Sequence, residues 1–394
     1  MIRIAFVITE LSCGGAEKAF FQLISGLDRS QFEPIVYVLS GKERDLKNSL
    51  APLFRNEGIE VVELGIKNAV DLPKAFWRFC RLLKKQAPQI LQSFMFHANF
   101  LGRFAARASG VPIVCSGVRV AERDSRLRLR LDHLTGALVD AWVCVGESVA
   151  NFTRTVGGIS GARVVSIPNG VRTCDGSVAI GRTSAVDALS SVAMTEPATP
   201  IPDGFGKRKR LVGIGRLTVQ KGFDFLLETA PRWLTEDVAR EWELWIVGEG
   251  EERGRLERRA RELGLERFVF FSGWRADASK ILAESEIFLL PSRWEGMPNA
   301  LLEAAALGKP TLCADVEGVA EILGADATEQ ICPSGDAEVW NVKLPALLRD
   351  ENLRRSLGEH NQARVLAEFT DVKVNEKYVA LWTRLLKEKG VETN

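Results

Sequence analysis

Residues Arg293-Trp-Glu-Gly-Met-Pro-Asn-Ala-Leu-Leu-Glu303 decide how this chain is read. The stretch follows the apolar run Ile287–Leu290, the pattern of a strand buried on both faces. It leads into Ala300–Leu307, rich in strong helix formers and closed by Gly308 and Pro310. A strand that passes to a helix through a short loop is the repeating step of a parallel α/β sheet. Glu295 then stands on the loop, and Glu303 about two turns inside the helix. With a helix start near Pro298, the two carboxylates lie on the order of 10 Å apart along the axis, at ~1.5 Å per residue. Between them lie the free N–H groups of the helix start, which favour an anion. That spacing suits a nucleotide diphosphate sugar. One carboxylate takes ribose hydroxyls, the helix end holds the pyrophosphate, and the other carboxylate takes sugar hydroxyls. For the pair taken alone, a surface loop glutamate and a solvated helix glutamate are the other reading.

Working outward, the same strand-to-helix step recurs along the chain. Strands are expected at Ile4–Ile8, Pro34–Leu39, Val61–Leu64, Ile90–Phe94, Ile113–Ser116, Ala141–Val145 and Val164–Ile167. Helical patterns fall at Ala16–Gly26, Lys47–Glu57, Leu72–Gln86, Ala98–Ala108 and Glu147–Val156. Thr173 to Gly206 breaks the pattern. It is rich in Ser, Ala, Thr, Gly and Pro, and reads as a loosely ordered linker. A second series follows, with strands at Leu211–Ile214, Glu243–Val247, Val269–Phe271, Ile287–Leu290 and Pro310–Ala314. Its helices include Phe223–Thr229, Glu251–Leu263 and Ala337–Arg349. Lys373–Lys387 places Val374, Tyr378, Leu381, Trp382, Leu385 and Leu386 on one helical face. The expected fold class is α/β: two doubly wound domains facing each other across a cleft. The boundaries are 1–172, a linker at 173–206, 207–370, and a closing helix at 371–394 that returns towards the first domain.

Composition fits this plan. The chain has 394 residues, 46% apolar and 26% charged, and a net charge of +1. That length is comfortable for two domains. Residues 1–180 hold 23 Lys and Arg against 16 Asp and Glu, and the rest hold 29 against 35, so the halves differ in sign. Opposite charge suggests different partners for the two domains. Seven scattered cysteines with no Cys-x-x-Cys pair indicate neither a disulfide framework nor a zinc site, and fit a reducing cytosol. The expected location is cytoplasmic. The first apolar run is too short for a signal peptide, and no run approaches the roughly 20 apolar residues of a spanning helix.

Four motifs bring the chain to a family. They are Ser12-Cys-Gly-Gly-Ala-Glu17, Gly213-Ile-Gly-Arg-Leu-Thr-Val-Gln-Lys-Gly222, Val247-Gly-Glu-Gly250, and the Glu295-to-Glu303 segment with seven residues between its glutamates. In this order and spacing the chain resembles the retaining GT-B glycosyltransferases of family 4. Ile167-Pro-Asn-Gly170 and the Phe369, Tyr378, Leu381 tail share the likeness, which covers nearly the whole chain. The resemblance implies an acceptor-binding first domain and a donor-binding second domain. It implies transfer of a sugar, with retained anomeric configuration, from a nucleotide diphosphate sugar. UDP-sugar is favoured over GDP-sugar. The acceptor would be a hydroxyl of a glycan or lipid-linked acceptor in cell-surface polysaccharide or lipopolysaccharide synthesis.

The resemblance assigns roles residue by residue. Arg216 and Lys221, on a Gly-flanked loop beyond a strand, are the donor phosphate ligands, and cations there stabilise charge on the leaving nucleotide. Gly215 and Gly248 line the same donor site. Gly14 and Gly15 resemble the family loop against donor phosphate or acceptor, an ordinary tight turn being the alternative. Glu17 braces the first helix turn. His97, after Ile90–Phe96, resembles a position where a histidine meets the donor sugar. Glu295 resembles the carboxylate that holds sugar hydroxyls, on a loop presented by Gly296, Met297, Pro298 and Asn299. Glu303 resembles the ribose ligand. Trp274 and Arg275 are placed to line the base pocket, mainly through backbone groups. Arg119 enters the acceptor region or is solvated, with Arg123, Arg126, Arg128 and Arg130 on the same loop.

No Asp-x-Asp occurs in the chain. Metal-dependent transferases usually hold the diphosphate through such acidic oxygen ligands. Arg216, Lys221 and helix N-termini supply a positive field instead, so no metal and no other cofactor are expected. No carboxylate nucleophile stands out, which favours attack on the face the leaving group vacates. Nothing points to nucleic acid. Leu72–Lys85 is basic, aromatic and amphipathic. With Arg119–Arg130 it either meets an anionic membrane surface or buries Phe76, Phe79 and Leu83 on its own sheet. A small soluble acceptor, a nucleotide-sugar epimerase and a non-catalytic subunit remain the other readings.

Overall fold

The computed structural model describes residues 1–12, 14–40, 49–121, 123, 125–174, 177–178, 200–202 and 204–391. Cys13, the start of the expected Lys47–Glu57 helix and most of the expected linker lie outside the described residues. The chain forms two compact units, Met1–Gly170 with Asp371–Asn394, and Val171–Thr370.

The first unit is a parallel sheet of seven strands. They are β1 (Ile2–Ile8), β2 (Phe32–Ser40), β3 (Glu60–Ile66), β4 (Ile90–Phe94), β5 (Ile113–Val118), β6 (Ala141–Cys144) and β7 (Val164–Ser166). Their order is β3-β2-β1-β4-β5-β6-β7. Helices α1 (Gly15–Ser25), α2 (Ala51–Asn56), α3 (Leu72–Gln86), α4 (Phe96–Ser109), α5 (Arg126–Thr135) and α6 (Glu147–Thr155) connect them. Strand β1 is apolar and buried over Ile4–Ile8, as a strand covered on both faces must be. Ala5, Val7, Phe79, Leu83, Leu91 and Ala98 form one core where α3 and α4 meet the sheet.

The stretch carrying Arg126, Arg128 and Arg130 is helix, not loop. Ser125 Oγ accepts from Arg128 N and caps it. Arginine-leucine alternation hid the element, because α5 buries no side chain and so shows no apolar stripe.

The second unit opens with a short antiparallel pair, β8 (Thr173–Cys174) and β9 (Ser177–Val178). Its main sheet has six parallel strands: β10 (Lys209–Ile214), β11 (Trp242–Val247), β12 (Val269–Gly273), β13 (Ile287–Leu290), β14 (Thr311–Ala314) and β15 (Ile331–Cys332). The order is β12-β11-β10-β13-β14-β15. Its helices are α7 (Phe223–Trp233), α8 (Glu236–Ala239), α9 (Arg253–Glu262), α10 (Ala278–Ala283), α11 (Asn299–Ala306), α12 (Val319–Leu323), α13 (Ala337–Arg349) and α14 (Glu351–Glu368). Trp233, Trp242, Leu244, Leu289, Trp340 and Leu347 share its core. Two-residue β15 is too short for any period to reveal.

The closing helix α15 (Asp371–Glu388) packs on the first unit. Trp382 meets Phe6 edge-on at 5.8 Å, and its Nε1 donates to Gln92 Oε1 at 3.3 Å. Val374, Tyr378, Leu381, Trp382, Leu385 and Leu386 are all buried. Among the described residues, no helix is long and apolar enough to cross a membrane.

Candidate active site

Both sheets reverse direction once. In the second unit the chain steps from β10 to β11 to β12, then returns to β13 on the other side of β10. Loops at such a switch point diverge, which leaves a crevice beyond the carboxyl ends of the two strands. The loops after β10 and β13 carry Arg216, Lys221, Glu295 and Glu303's helix.

These two loops are interlocked. Lys221 Nζ donates to Glu295 Oε1 at 2.6 Å, and Ser292 Oγ donates to the same oxygen at 2.7 Å. Arg293 N donates to Gln220 O at 2.8 Å, and Gln220 Nε2 to Trp294 O at 3.0 Å. Gly222 has φ +66°, and a Cβ there would lie 2.0 Å from Pro291 O. Only glycine permits both that conformation and that approach. A Cβ on Gly215 would meet the Lys221 stem at 3.2 Å, so Gly215 gives Lys221 its path across the loop.

Gly248 joins from β11: a Cβ would lie 1.9 Å from Gly215 O. Met297 is buried, Pro298 is the N-cap of α11, and Asn299 is its first residue. Glu303 is therefore the fifth helical residue, one turn inside rather than two. Gly318, with φ +81°, lies against Gly296: a Cβ would be 2.7 Å from Gly296 O. Glu317 accepts from Glu295 N at 3.4 Å.

Two charges contrast with the Lys221–Glu295 pair. The exposed Arg216 guanidinium and the half-buried Glu303 carboxylate have no side-chain partner among the described residues. A cation and a carboxylate left unpaired at a switch point are available to a ligand. Trp274 and Arg275 follow β12 at the far edge of the sheet, and Arg275 spends its guanidinium on Asp277, with Nε–Oδ1 and Nη2–Oδ2 both 2.7 Å. That pairing leaves the backbone as its means of reaching a ligand. Ser292, Gln220, Arg293 and Asp224 were not singled out from sequence. Ser292 and Arg293 adjoin the motif, but nothing in sequence tells which loop a side chain will grip.

In the first unit the switch point lies between β1 and β4. Gly14 and Gly15, after β1, and His97, after β4, are all there. Gly14 is the N-cap of α1, and a Cβ on it would lie 2.3 Å from Glu17 Oε2. Its lack of a side chain makes room for that buried carboxylate at the positive end of the helix. His97 is exposed in the first turn of α4. Met95 before it has φ +71°, a strained conformation for a side-chain-bearing residue. Buried contacts hold that turn: Ser93 Oγ donates to Asn99 Oδ1 at 2.8 Å, and Asn99 Nδ2 to Gly117 O at 2.8 Å.

Arg119 is placed differently from His97. It reaches Asn169 Oδ1, lies over the Phe94 ring at 5.3 Å, and lines a small cavity with Gln22, Asn375 and Tyr378. Burial lowers its pKa, with Tyr378 and Glu17 opposing. Burial pushes the Tyr378 hydroxyl up to about 12 against the pull of Arg119. Among the described residues, no group of three or more His, Cys, Asp or Glu is arranged to hold a metal ion.

The family model of Glycosyltransferase Family 4 matches residues 13–174, and that of Glycosyl transferases group 1 matches 208–350. The chain belongs to glycosyltransferase family 4. The lipopolysaccharide core biosynthesis glycosyltransferase LpsE of Rhizobium meliloti is 25% identical over 374 residues, 93% of this chain and 95% of that protein. The UDP-Gal:alpha-D-GlcNAc-diphosphoundecaprenol alpha-1,3-galactosyltransferase of Escherichia coli is 25% identical over 400 residues, 98% of each. Among solved structures, Anabaena HepE in complex with UDP superposes with a TM-score of 0.78 at 16% identity, over 97% of this chain and all of that one. The fold is GT-B, two Rossmann-like domains.

Proposed function

We propose that this transferase moves a sugar from a nucleotide diphosphate sugar, UDP-sugar first, to a hydroxyl of a glycan or lipid-linked acceptor in lipopolysaccharide or cell-surface polysaccharide synthesis. The observation that carries the reading is the second unit's switch point. There Lys221 is braced by Glu295, while Arg216 and Glu303 lack side-chain partners among the described residues. Two cations beside a helix N-terminus suit a diphosphate. Glu303 takes the ribose and Glu295 the sugar. The relatives support the class of acceptor: LpsE is a lipopolysaccharide core enzyme, and the Escherichia coli galactosyltransferase uses a diphosphoundecaprenol-linked sugar. HepE has been captured with UDP and with UDP-glucose, which supports UDP.

Transfer proceeds with retention and without metal. The bond from the anomeric carbon to the diphosphate oxygen breaks, and the acceptor oxygen bonds on the same face. The leaving phosphate takes the acceptor's proton. Arg216 and Lys221 stabilise the negative charge on that phosphate. The family resemblance gives His97 the donor sugar as its partner. A screen of nucleotide sugars for binding and slow hydrolysis tests the donor. Binding of no nucleotide sugar sinks the reading.

The first unit meets an anionic membrane where a lipid-linked acceptor resides. Helix α3 buries Phe79 and Leu83 on its own sheet and half-buries Phe76. It turns Trp77 outward, 73% exposed, among Lys74, Arg81, Lys84 and Lys85. Leu127 and Leu134 of α5 are also exposed. An interfacial tryptophan ringed by cations suits anionic headgroups. Sedimentation with phosphatidylglycerol vesicles but not phosphatidylcholine vesicles, lost in Trp77→Ala with Lys84→Glu, is the expected result. Equal behaviour with both lipids contradicts it.

A further inference from the structure

Outside the crevice, an ionic chain crosses three loops of the second unit. Arg293, after β13, grips Asp224 in the first turn of α7 through two parallel hydrogen bonds, both 2.8 Å. Its Nη1 also donates to Val219 O at 2.7 Å, in the loop that carries Lys221. Arg255 of α9 reaches Asp224 at 3.5 Å and Glu252 at 2.6 Å, in the loop after β11. Burial works against the charged form of Asp224. The hydrogen bonds and charge of Arg293, with the N–H groups of Asp224 and Phe225, outweigh it and hold the carboxyl below its ordinary range. The bonds to Asp224 raise Arg293 in turn.

We infer that Asp224 and Arg293 are a positioning pair that sets the register between the Lys221 loop and the Glu295 loop. The inference rests on the donor reading of that crevice. Neither residue touches the donor in this account. Arg293 holds three points at once: the Gln220 carbonyl through its N–H, the Val219 carbonyl through Nη1, and Asp224 through the fork. Lys221 lies within three residues of all three points, and Glu295 lies two residues beyond Arg293 itself. A planar fork fixes angle as well as distance, so lysine cannot replace it. Half-exposed ion pairs contribute little to stability. Small displacements of reacting groups nevertheless cost rate steeply. The pair therefore matters to turnover and hardly to folding.

Arg293→Met, Asp224→Asn, their double variant and Arg293→Lys are compared, with Arg232→Met as control. Arg232 forms an exposed 2.6 Å pair with Glu338 elsewhere in the unit. Each single variant should lose roughly 10- to 100-fold in kcat with KM nearly kept and melting temperature little changed. The double variant should be no worse than either single one, because the pair acts as one device. Arg293→Lys should not restore turnover, and Arg232→Met should behave as wild type. Hydrogen exchange without substrate should show residues 216–222 and 291–298 losing protection in Arg293→Met and in Asp224→Asn but not in Arg232→Met. Unchanged exchange in those segments overturns the inference, whatever the substrate. So does kcat at the wild-type level, or a loss that only follows melting temperature. Failure of wild type to bind any nucleotide sugar would instead strike the donor reading, and the exchange result would still decide the clamp.

Discussion

Lys221 Nζ and Glu295 Oε1 are 2.6 Å apart, although 74 residues separate them in the chain. Both side chains are largely buried, at 17% and 8% exposure. The cation proposed for the leaving phosphate is thus held by the carboxylate proposed for the sugar. Removing one member leaves the other charged and unpaired in a poorly solvated place.

Lys221→Ala and Arg216→Ala should each lower turnover by about 10²–10³-fold, the range for groups that stabilise developing charge. Their stabilities should differ. Lys221→Ala strands buried Glu295 and should cost about 3–5 kcal/mol. Arg216→Ala removes an exposed side chain and should melt as wild type. Thermal melts beside steady-state rates check both, and wild-type turnover in either variant would sink the assignment.

The two glutamates should separate by ligand. Glu303→Ala should weaken free UDP as well as the sugar donor, by roughly 1.5–3 kcal/mol for a lost charged hydrogen bond. Glu295→Ala should depress transfer and weaken UDP less than Glu303→Ala does, its effect on UDP passing only through Lys221, which it braces. Calorimetry with UDP alone decides it. The reverse pattern would mean that the donor lies in the opposite direction along α11.

Transfer should survive excess EDTA, since Arg216, Lys221 and a helix N-terminus are proposed to carry the diphosphate charge. Loss of activity in EDTA, restored by Mn²⁺ or Mg²⁺, would contradict that.

Acid should weaken the tie that Asp140 makes to the C-terminal segment through Lys389. Burial opposes its charged form, but Val114 N, Lys389 and Arg107 together hold its carboxyl below the ordinary range. Lys389 Nζ lies 3.0 Å away, just beyond α15, and Arg107 Nη2 at 2.6 Å. A depressed carboxyl contributes stability that is full above its unfolded value, about 4, and lost as pH falls through the lower folded value. Asp140→Asn should therefore melt below wild type at pH 7, and the gap should close below about pH 4. A gap independent of pH would show that the charge is not what matters.

The two βα series, the closing helix and the motif glutamates are legible in local order along the chain. Apolar strands buried on both faces and amphipathic helices carry their periods in local order, so Leu72–Gln86 and Ala337–Arg349 were legible to the residue. Helix α5 was not, because a helix that buries nothing needs no apolar stripe. Strand order was decided only in the tertiary structure. Placing β13 beside β10, and β4 beside β1, brought the loops of Gly14 and His97 together in one unit and those of Lys221 and Glu295 in the other. The same held for the partners of each charge. Arg275 and Arg216 are both arginines on loops after a strand, but Asp277 two residues on takes the guanidinium of the first and no side chain among the described residues takes that of the second. A side chain's character is local, whereas its partner depends on which distant segments the sheet sets side by side.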